Sequence, residues 1–393
     1  MQILPHIRRA YFRIGIHTAP PGTLCHSIHH LALLLAGQSR LRRPLVPGHE
    51  DHFFSYTSDH VRYDIVGARE ARKVDGLALV FFMGLGDYLM ATPFLKVLRA
   101  KHPDLPFYGY ASDTNDTVNS PLVAGQLRAN PVFDRVFTYR GREDRFFWKN
   151  YDFRDALKNV PENFLVLPVL YEYGPGAPHR VTSLMETFGL PALWPVPPPM
   201  LDLQRMSTQS SALHREIRER VDRRDVKGIV LCHFESRSWN HRYPDSAVLV
   251  RGLINDGYFV VSLTPTDHDH ECLFSINLAT ITPNDTIALL AALRMSAPPL
   301  YILSVNSVMW AISAGLNIKN LGLQLGLDEA LHTYVYPNIF VVSQHKYPRI
   351  SPSRLFLADS ASYLEHSRKA GNPVTAYDPA FVLNCFRKFV DAF

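Results

Sequence analysis

Six consecutive apolar residues, Leu77 to Phe82, run directly into Met83-Gly84-Leu85-Gly86-Asp87. An unbroken apolar run has no polar side to turn toward water, so it predicts a strand covered on both faces, as in a parallel sheet. Parallel strands cannot be joined by a tight hairpin; the chain has to cross over, usually through a helix. The glycines mark a backbone that turns off the strand and lies close to whatever occupies its end. Tyr88 to His102 then predicts a helix, with Leu89, Pro93, Phe94, Val97 and Leu98 roughly along one stripe.

The alternation continues. Leu105–Ala111, Val132–Tyr139 and Phe164–Leu170 predict strands, and Pro121–Leu127 and Arg180–Phe188 predict helices, the latter closed by Gly189. Pro191, Pro195, Pro197, Pro198 and Pro199 then predict a stiff, extended linker. The pattern restarts beyond it. Helices are expected at Ser210–Arg224, Ser246–Asn255, Thr286–Met295 and Ser307–Leu316, with strands at Gly228–Cys232, Tyr258–Leu263, Leu300–Leu303 and Ile318–Gln324. Asp378–Phe393 predicts an amphipathic helix with Phe381, Val382, Cys385, Phe386 and Val390 on one side. Two doubly wound Rossmann-type domains in tandem account for this order, with ligands expected outside the strand C-termini.

The bulk properties agree. A chain of 393 residues suits two cores, and 47% hydrophobic with 20% charged residues is globular composition. No apolar run approaches the ~20 residues that span a bilayer, and no signal-type apolar region leads to a cleavage site, so a cytoplasmic protein is expected. The four cysteines, Cys25, Cys232, Cys272 and Cys385, show no CxxC spacing; buried free thiols are expected rather than a disulfide framework or zinc cluster. Up to His49 there is no acidic residue, while Arg8, Arg9, Arg13, Arg40, Arg42 and Arg43 are present. That segment is read either as a solvated surface or as a contact for an anionic partner such as a membrane face.

Asp87 is open to three readings from its surroundings: a helix cap, part of a dinucleotide fingerprint, or a general base exposed at a strand end. Leu89 stands where the third glycine of GxGxxG belongs, which disfavours the second. Asp267, His268, Asp269, His270 and Glu271 have metal-ligand composition without metal-ligand spacing, so a solvated loop competes with a ligand contact.

Gly86-Asp87 followed by Ala91-Thr92-Pro93, Leu95, Leu98 and His102-Pro103-Asp104 resembles the opening of the family 9 glycosyltransferases, which include ADP-heptose:lipopolysaccharide heptosyltransferases. Asn130-Pro131-Val132-Phe133-Asp134-Arg135-Val136 is similar to a second segment of that family. In the second half, His233 to Pro244 lies where the family has a small-residue stretch and a lysine near an aromatic–proline pair, with His241 at the lysine position. Asn306-Ser307 through Leu316 lies where the family has an Asp-Thr-Gly segment, but Val308 replaces its glycine and Ala311 its histidine.

The resemblance implies a GT-B-like α/β fold: two doubly wound domains facing a cleft, with an N-terminal extension. The expected divisions are residues 1–75 (basic extension), 76–205 (acceptor domain and linker), 206–372 (nucleotide-sugar domain) and 373–393 (C-terminal helix). It implies an inverting glycosyltransferase that needs no metal or cofactor beyond a nucleotide-diphosphate sugar as donor. Asp87 would be the base and Gly84 and Gly86 would shape the acceptor side. Ser236, Arg237, His241, Arg242, Asp269, Asn306 and Ser307 would meet the donor. The acceptor would be a glycan, glycolipid or protein, with peripheral contact at the inner membrane face through the basic extension; nucleic acid is not expected. A catalytically inactive binding or assembly protein of the same fold, or another nucleotide-sugar enzyme such as an epimerase, are the alternatives.

Overall fold

The computed structural model describes residues 53–392 apart from 56–62, 72, 82, 113–120, 140–141, 145–146, 153–155, 157, 170–178, 194, 202, 204–205, 236–242, 264–268, 279, 326–335, 344–350, 359–361 and 368–372. The basic segment up to His49, and Cys25, lie outside the described residues. By its internal contacts the chain divides into two compact units, Met1–Tyr88 with Phe94–Trp194, and Leu89–Pro93 with Pro195–Phe393.

The first unit runs β1 (Phe53–Ser55), α1 (Ile65–Ala71), β2 (Gly76–Phe81), α2 (Leu85–Lys101), β3 (Phe107–Ser112), α3 (Pro121–Ala129), β4 (Arg135–Tyr139), β5 (Arg142–Asp144), β6 (Phe147–Asp152), β7 (Phe164–Val169) and α4 (Arg180–Thr187). Its main sheet has the order β4-β3-β2-β7, parallel throughout. All residues of β2 and β7 are buried, as their unbroken apolar runs predict. A separate antiparallel sheet, β1-β6-β5, pairs residues far apart in sequence, Phe53 with Asp152. Such pairing leaves no local signature.

Several features of the expected motifs prove to be local hydrogen-bond accounting. Pro93 lies inside α2 and cannot donate to the Leu89 carbonyl one turn back. The Thr92 hydroxyl donates to that carbonyl instead, at 2.7 Å. Asn130 closes the turn into β4 by accepting from Val132 N at 3.0 Å. Asp134 accepts from Phe107 N at 2.7 Å and pairs with Arg99 at 3.1 Å, tying β4 to β3 and α2. Gly189 has φ +63°, a left-handed position that glycine adopts without strain, and ends the α4 segment as expected.

The second unit runs α5 (Thr208–Asp222), β8 (Ile229–His233), α6 (Ser246–Asn255), β9 (Phe259–Ser262), β10 (Leu273–Ser275), α7 (Pro283–Arg294), β11 (Leu300–Val305), α8 (Val308–Gly315), β12 (Lys319–Leu323), β13 (Ile339–Ser343), β14 (Leu355–Leu357), β15 (Tyr363–Ser367), β16 (Pro373–Tyr377) and α9 (Pro379–Asp391). Seven strands form one parallel sheet, β10-β9-β8-β11-β12-β13-β14. In chain order this is 3-2-1-4-5-6-7, the doubly wound arrangement, with its reversal point between β8 and β11.

The sequence reading closed this sheet at Gln324, whereas the structure adds β13 and β14. Ile339-Phe340-Val341-Val342 is the same kind of apolar run as β2, but only four residues long. The C-terminal helix α9 belongs to this unit's core rather than standing apart. Phe386 packs edge-on against Tyr258, Phe389 packs against Phe340, and Leu383 lies so close to Gly252 of α6 that a Cβ there would meet its Cδ1 at 2.3 Å.

Residues from Tyr63 onward likewise belong with the first sheet and not with an appended extension. Tyr63 N donates to Thr187 O at 2.7 Å, and its hydroxyl donates to the carbonyl of Pro168 in β7 at 2.8 Å. Its ring packs edge-on against Phe188. Burial pushes the Tyr63 phenol far above its ordinary range, so it stays a donor. Tyr63→Phe should destabilise the protein by about 1–2 kcal/mol, the scale of one buried hydrogen bond. The urea midpoint should fall with an unchanged m-value.

Candidate functional site

Each of the two parallel sheets reverses its winding once, and the structure sets chemistry-bearing side chains at both reversals. In the first unit the reversal lies between β2 and β7: β3 and β4 extend to one side of β2, and β7 lies on the other. β2 leads through Met83 and Gly84 into α2, whose third residue is Asp87. α4, the next described helix after β7, opens with Arg180. Asp87 Oδ1 and Arg180 Nη1 form an ion pair there, with the two side chains only 20% and 8% exposed.

This pair replaces the helix-cap reading of Asp87. The cap position is held by Gly84, which makes no side-chain cap bond, and an acidic residue in the first turn still meets the helix dipole favourably. Gly84 has φ −68°, open to any residue, so glycine is not demanded there by backbone conformation. The turn is fixed from its other side by Tyr88. The Tyr88 hydroxyl accepts from Asn130 Nδ2 at 3.0 Å and donates to Gln126 O at 3.4 Å. His179, the cap of α4, accepts from Val181 N through Nδ1 at 3.2 Å and so fixes the backbone that carries Arg180.

Arg180 was not singled out in the sequence. Its signal was a cation at the first position of a helix following a buried apolar run. That signal becomes informative only when β7 is known to lie beside β2, and strand order is not written locally.

In the second unit, β8 ends at His233 and β11 leads through Asn306 and Ser307 into α8. His233 Nδ1 and Ser307 Oγ are 3.0 Å apart, a hydrogen bond with either as donor. Ser307 caps α8 by accepting from Met309 N at 3.3 Å. Asn306 is buried and its N–H donates to Leu323 O at 3.2 Å. Burial drives His233 down to about 4, so the ring is neutral at ordinary pH. A ring that weakly basic is a poor proton acceptor, and the serine–histidine contact is not the arrangement of an activated nucleophile. It fixes the serine at the mouth of the helix, where main-chain N–H groups favour an anion.

α8 is held from behind. Trp310 is fully buried against Gly322 of β12, where a Cβ would lie 2.2 Å from the indole Cζ2. Ser313, Asn320 and Ser304 form a buried chain of hydrogen bonds joining α8, β12 and β11. Asn338 donates to Ser313 O and Ile318 O, satisfying carbonyls where α8 ends.

Asn306 and Ser307 therefore stand together, with His233 beside them. Ser236, Arg237, His241 and Arg242 lie outside the described residues. Asp269 is exposed and precedes β10. Its neighbour Glu271 pairs at 3.3 Å with Arg224, which stands just before β8. That is the edge carrying the strand N-termini, so the structure does not bring Asp269 to Ser307. Ala311 is buried in the core and presents no polar group where the resembled family has histidine. Among the described residues no group of three or more His, Cys, Asp or Glu is placed to hold a metal. Cys232 and Cys385 are buried free thiols, pushed up by burial, and Cys272 is half-buried.

Two outcomes follow from these sites. A guanidinium as buried as Arg180 needs a counter-charge, so Asp87→Asn should cost stability on the scale of ~3–5 kcal/mol for a broken buried pair. Asp87→Asn combined with Arg180→Met should recover most of that loss in urea unfolding, because no buried charge is left uncompensated. His233 carries the second. Between about pH 6.5 and 4 the unfolded chain binds a proton that the folded chain refuses, so stability falls as pH falls through that window. His102 and His214 are also lowered by burial and add losses of the same sign. His233→Gln should therefore melt with a shallower acid slope than the wild type, by up to ~3 kcal/mol between pH 7 and 4, at 1.36 kcal/mol per pH unit.

No protein-family model and no curated protein matches the chain. Among solved structures it is similar to a family 9 glycosyl transferase from Veillonella parvula DSM 2008, at 11% identity over 68% of this chain and 86% of that one, with a TM-score of 0.46. It is also similar to the E. coli ADP-heptose LPS heptosyltransferase II, at 14% identity over 80% and 99% of the two chains, with a TM-score of 0.47. A third similar structure is TibC from enterotoxigenic E. coli H10407, an iron-containing dodecameric glycosyltransferase, at 12% identity over 70% and 64%, with a TM-score of 0.43.

Proposed function

We propose that this protein is a glycosyltransferase that moves a sugar, a heptose being the first to test, from a nucleotide-diphosphate donor to an acceptor hydroxyl. The observation that carries the reading is the filling of both winding reversals. An acidic side chain stands at one, and a serine-capped helix N-terminus stands at the other. In open α/β sheets, ligands bind outside the strand C-termini at such reversals.

In the second unit, the start of α8 with Asn306 and Ser307 would hold the diphosphate, its N–H groups facing the negative charge. Arg237 and Arg242 follow β8 closely in sequence and would add permanent cations, with His241 beside them. In the first unit, Asp87 would act on the acceptor. The acceptor oxygen attacks the anomeric carbon, the bond from that carbon to the diphosphate oxygen breaks, and the hydroxyl proton passes to the Asp87 carboxylate. The nucleoside diphosphate leaves, its charge met by helix dipole and side-chain cations rather than by a metal. One displacement of this kind inverts the anomeric centre. The acceptor class is a glycan, glycolipid or protein, reached in the cytoplasm or at the inner membrane face, with the arginines before His49 contacting anionic headgroups.

A second reading, a non-catalytic binding protein of the same fold, is favoured by Ala311, which is buried and apolar where the resembled family has a histidine. Calorimetry against nucleoside diphosphates and nucleotide sugars, ADP-heptose included, separates them. Selective binding of one nucleotide sugar, followed by release of its nucleoside diphosphate, is the expected result. Binding without turnover, or no binding by folded protein, would remove the transferase reading and favour the second.

A further inference from the structure

The transferase reading asks Asp87 to accept a proton, and the structure sets a guanidinium against it. These demands pull in opposite directions. A carboxylate beside a permanent cation stays charged, and so competent as a base, to lower pH, but each proton it takes up is held less tightly. The balance depends on how the cation is fixed. Arg180 is at the first position of α4 behind the His179 cap, and its side chain is nearly excluded from solvent. A guanidinium keeps its charge at any pH the protein experiences.

Among the described residues, titratable groups on the elements around this end of the sheet include Tyr88 on α2, Tyr139 on β4 and His179 on α4. Tyr88 and Tyr139 are committed as hydrogen-bond donors, to Gln126 O and Phe81 O. His179 uses Nδ1 to accept from the α4 backbone. β2 and β7 carry no ionisable side chain. Arg180 is the charged group with which Asp87 forms a described ion pair.

We infer that Arg180 is a positioning residue that holds the Asp87 carboxylate in its charged form and sets its direction, and thereby fixes the acid limit of the pH range in which transfer runs. This rests on the proposed transferase role of Asp87, but the ion pair itself can be tested without it.

The first experiment follows ADP release from ADP-heptose, with water standing in for the acceptor, across pH in wild type, Arg180→Lys and Arg180→Gln. Removing an opposite charge at this range moves a carboxylate up by about 1–3 pH units. The acid limb of the wild-type rate profile should move up by that amount in Arg180→Gln. In Arg180→Lys, which keeps a charge but loses the planar fork, it should move less. A residue that only braces the fold would lower the plateau and leave the limb in place, and that result overturns the inference.

The second experiment needs no turnover. Melting temperatures of wild type and Arg180→Gln are compared from pH 4.5 to 7.5. The gap should widen as pH rises, because the uncompensated buried carboxylate is tolerated when protonated and costly when charged. A gap that stays constant with pH overturns the inference. If no nucleotide sugar is turned over while the gap widens, the transferase reading falls and Arg180's hold on the Asp87 charge stands. Turnover with an unmoved limb and a constant gap gives the reverse.

Discussion

A parallel sheet covered on both faces leaves polar chemistry a single outlet, the ends of its strands. In β2 and β7 every residue is buried, and in β8 only its last, His233, reaches the strand end, so no side chain along their length is available to a ligand. The first groups that can act are those reached as the chain leaves the sheet: Asp87 after β2, Arg180 where α4 opens, His233 at the end of β8, and Asn306 and Ser307 after β11. Winding then decides which of these ends meet. Where the crossovers reverse direction, neighbouring strands send their chains to opposite faces and their ends stay uncovered. The ion pair in the first unit and the serine–histidine contact in the second both lie at that position.

The same constraint explains what the sequence could disclose. Buried strands and their helices were legible because an apolar run or stripe is a local property, and Ser246–Asn255 matches the expected helix to the residue. Asp87, Asn306 and Ser307 were legible because each directly follows such a run. Arg180 was not, since its importance comes from which strand lies beside which, and His233 stood in the resembling segment without a role because its partner Ser307 is set beside it only by strand order. The partner of β1 escaped for a similar reason, because antiparallel pairing of Phe53 with Asp152 across about a hundred residues is a tertiary fact. Asp269 shows the opposite failure. Composition made its loop look like a site, while its place before β10 sets it at the other edge of the sheet.

Several residues that carried the family resemblance turn out to do structural work. Thr92 serves the carbonyl that Pro93 cannot, Asn130 closes a turn and holds Tyr88, and Asp134 ties β4 to β3. A proline in a helix and a turn into a strand each create an unmet backbone group, and each motif supplies its partner. Such motifs report the fold more directly than the reaction. Asp87 differs, because a structural account of it requires Arg180, and an arginine buried at a strand end is an expensive way to stabilise a fold. Apolar residues of similar size would often do as well or better. The cost is easier to understand if the pair also serves the site.

The two reversal sites are therefore electrostatically unlike. The first holds an acidic and a basic side chain in direct contact. The second holds a neutral histidine and a capping serine, hydrogen-bonded to each other. A diphosphate placed there would be met first by helix N–H groups, which are fixed in direction and need no proton. A neutral His233 suits that task. A charged imidazolium in its place would attract an anion more strongly but would have to be buried, and burial has removed the charge. On the proposed reading, two phosphates call for permanent cations, which the sequence after β8 offers in Arg237 and Arg242.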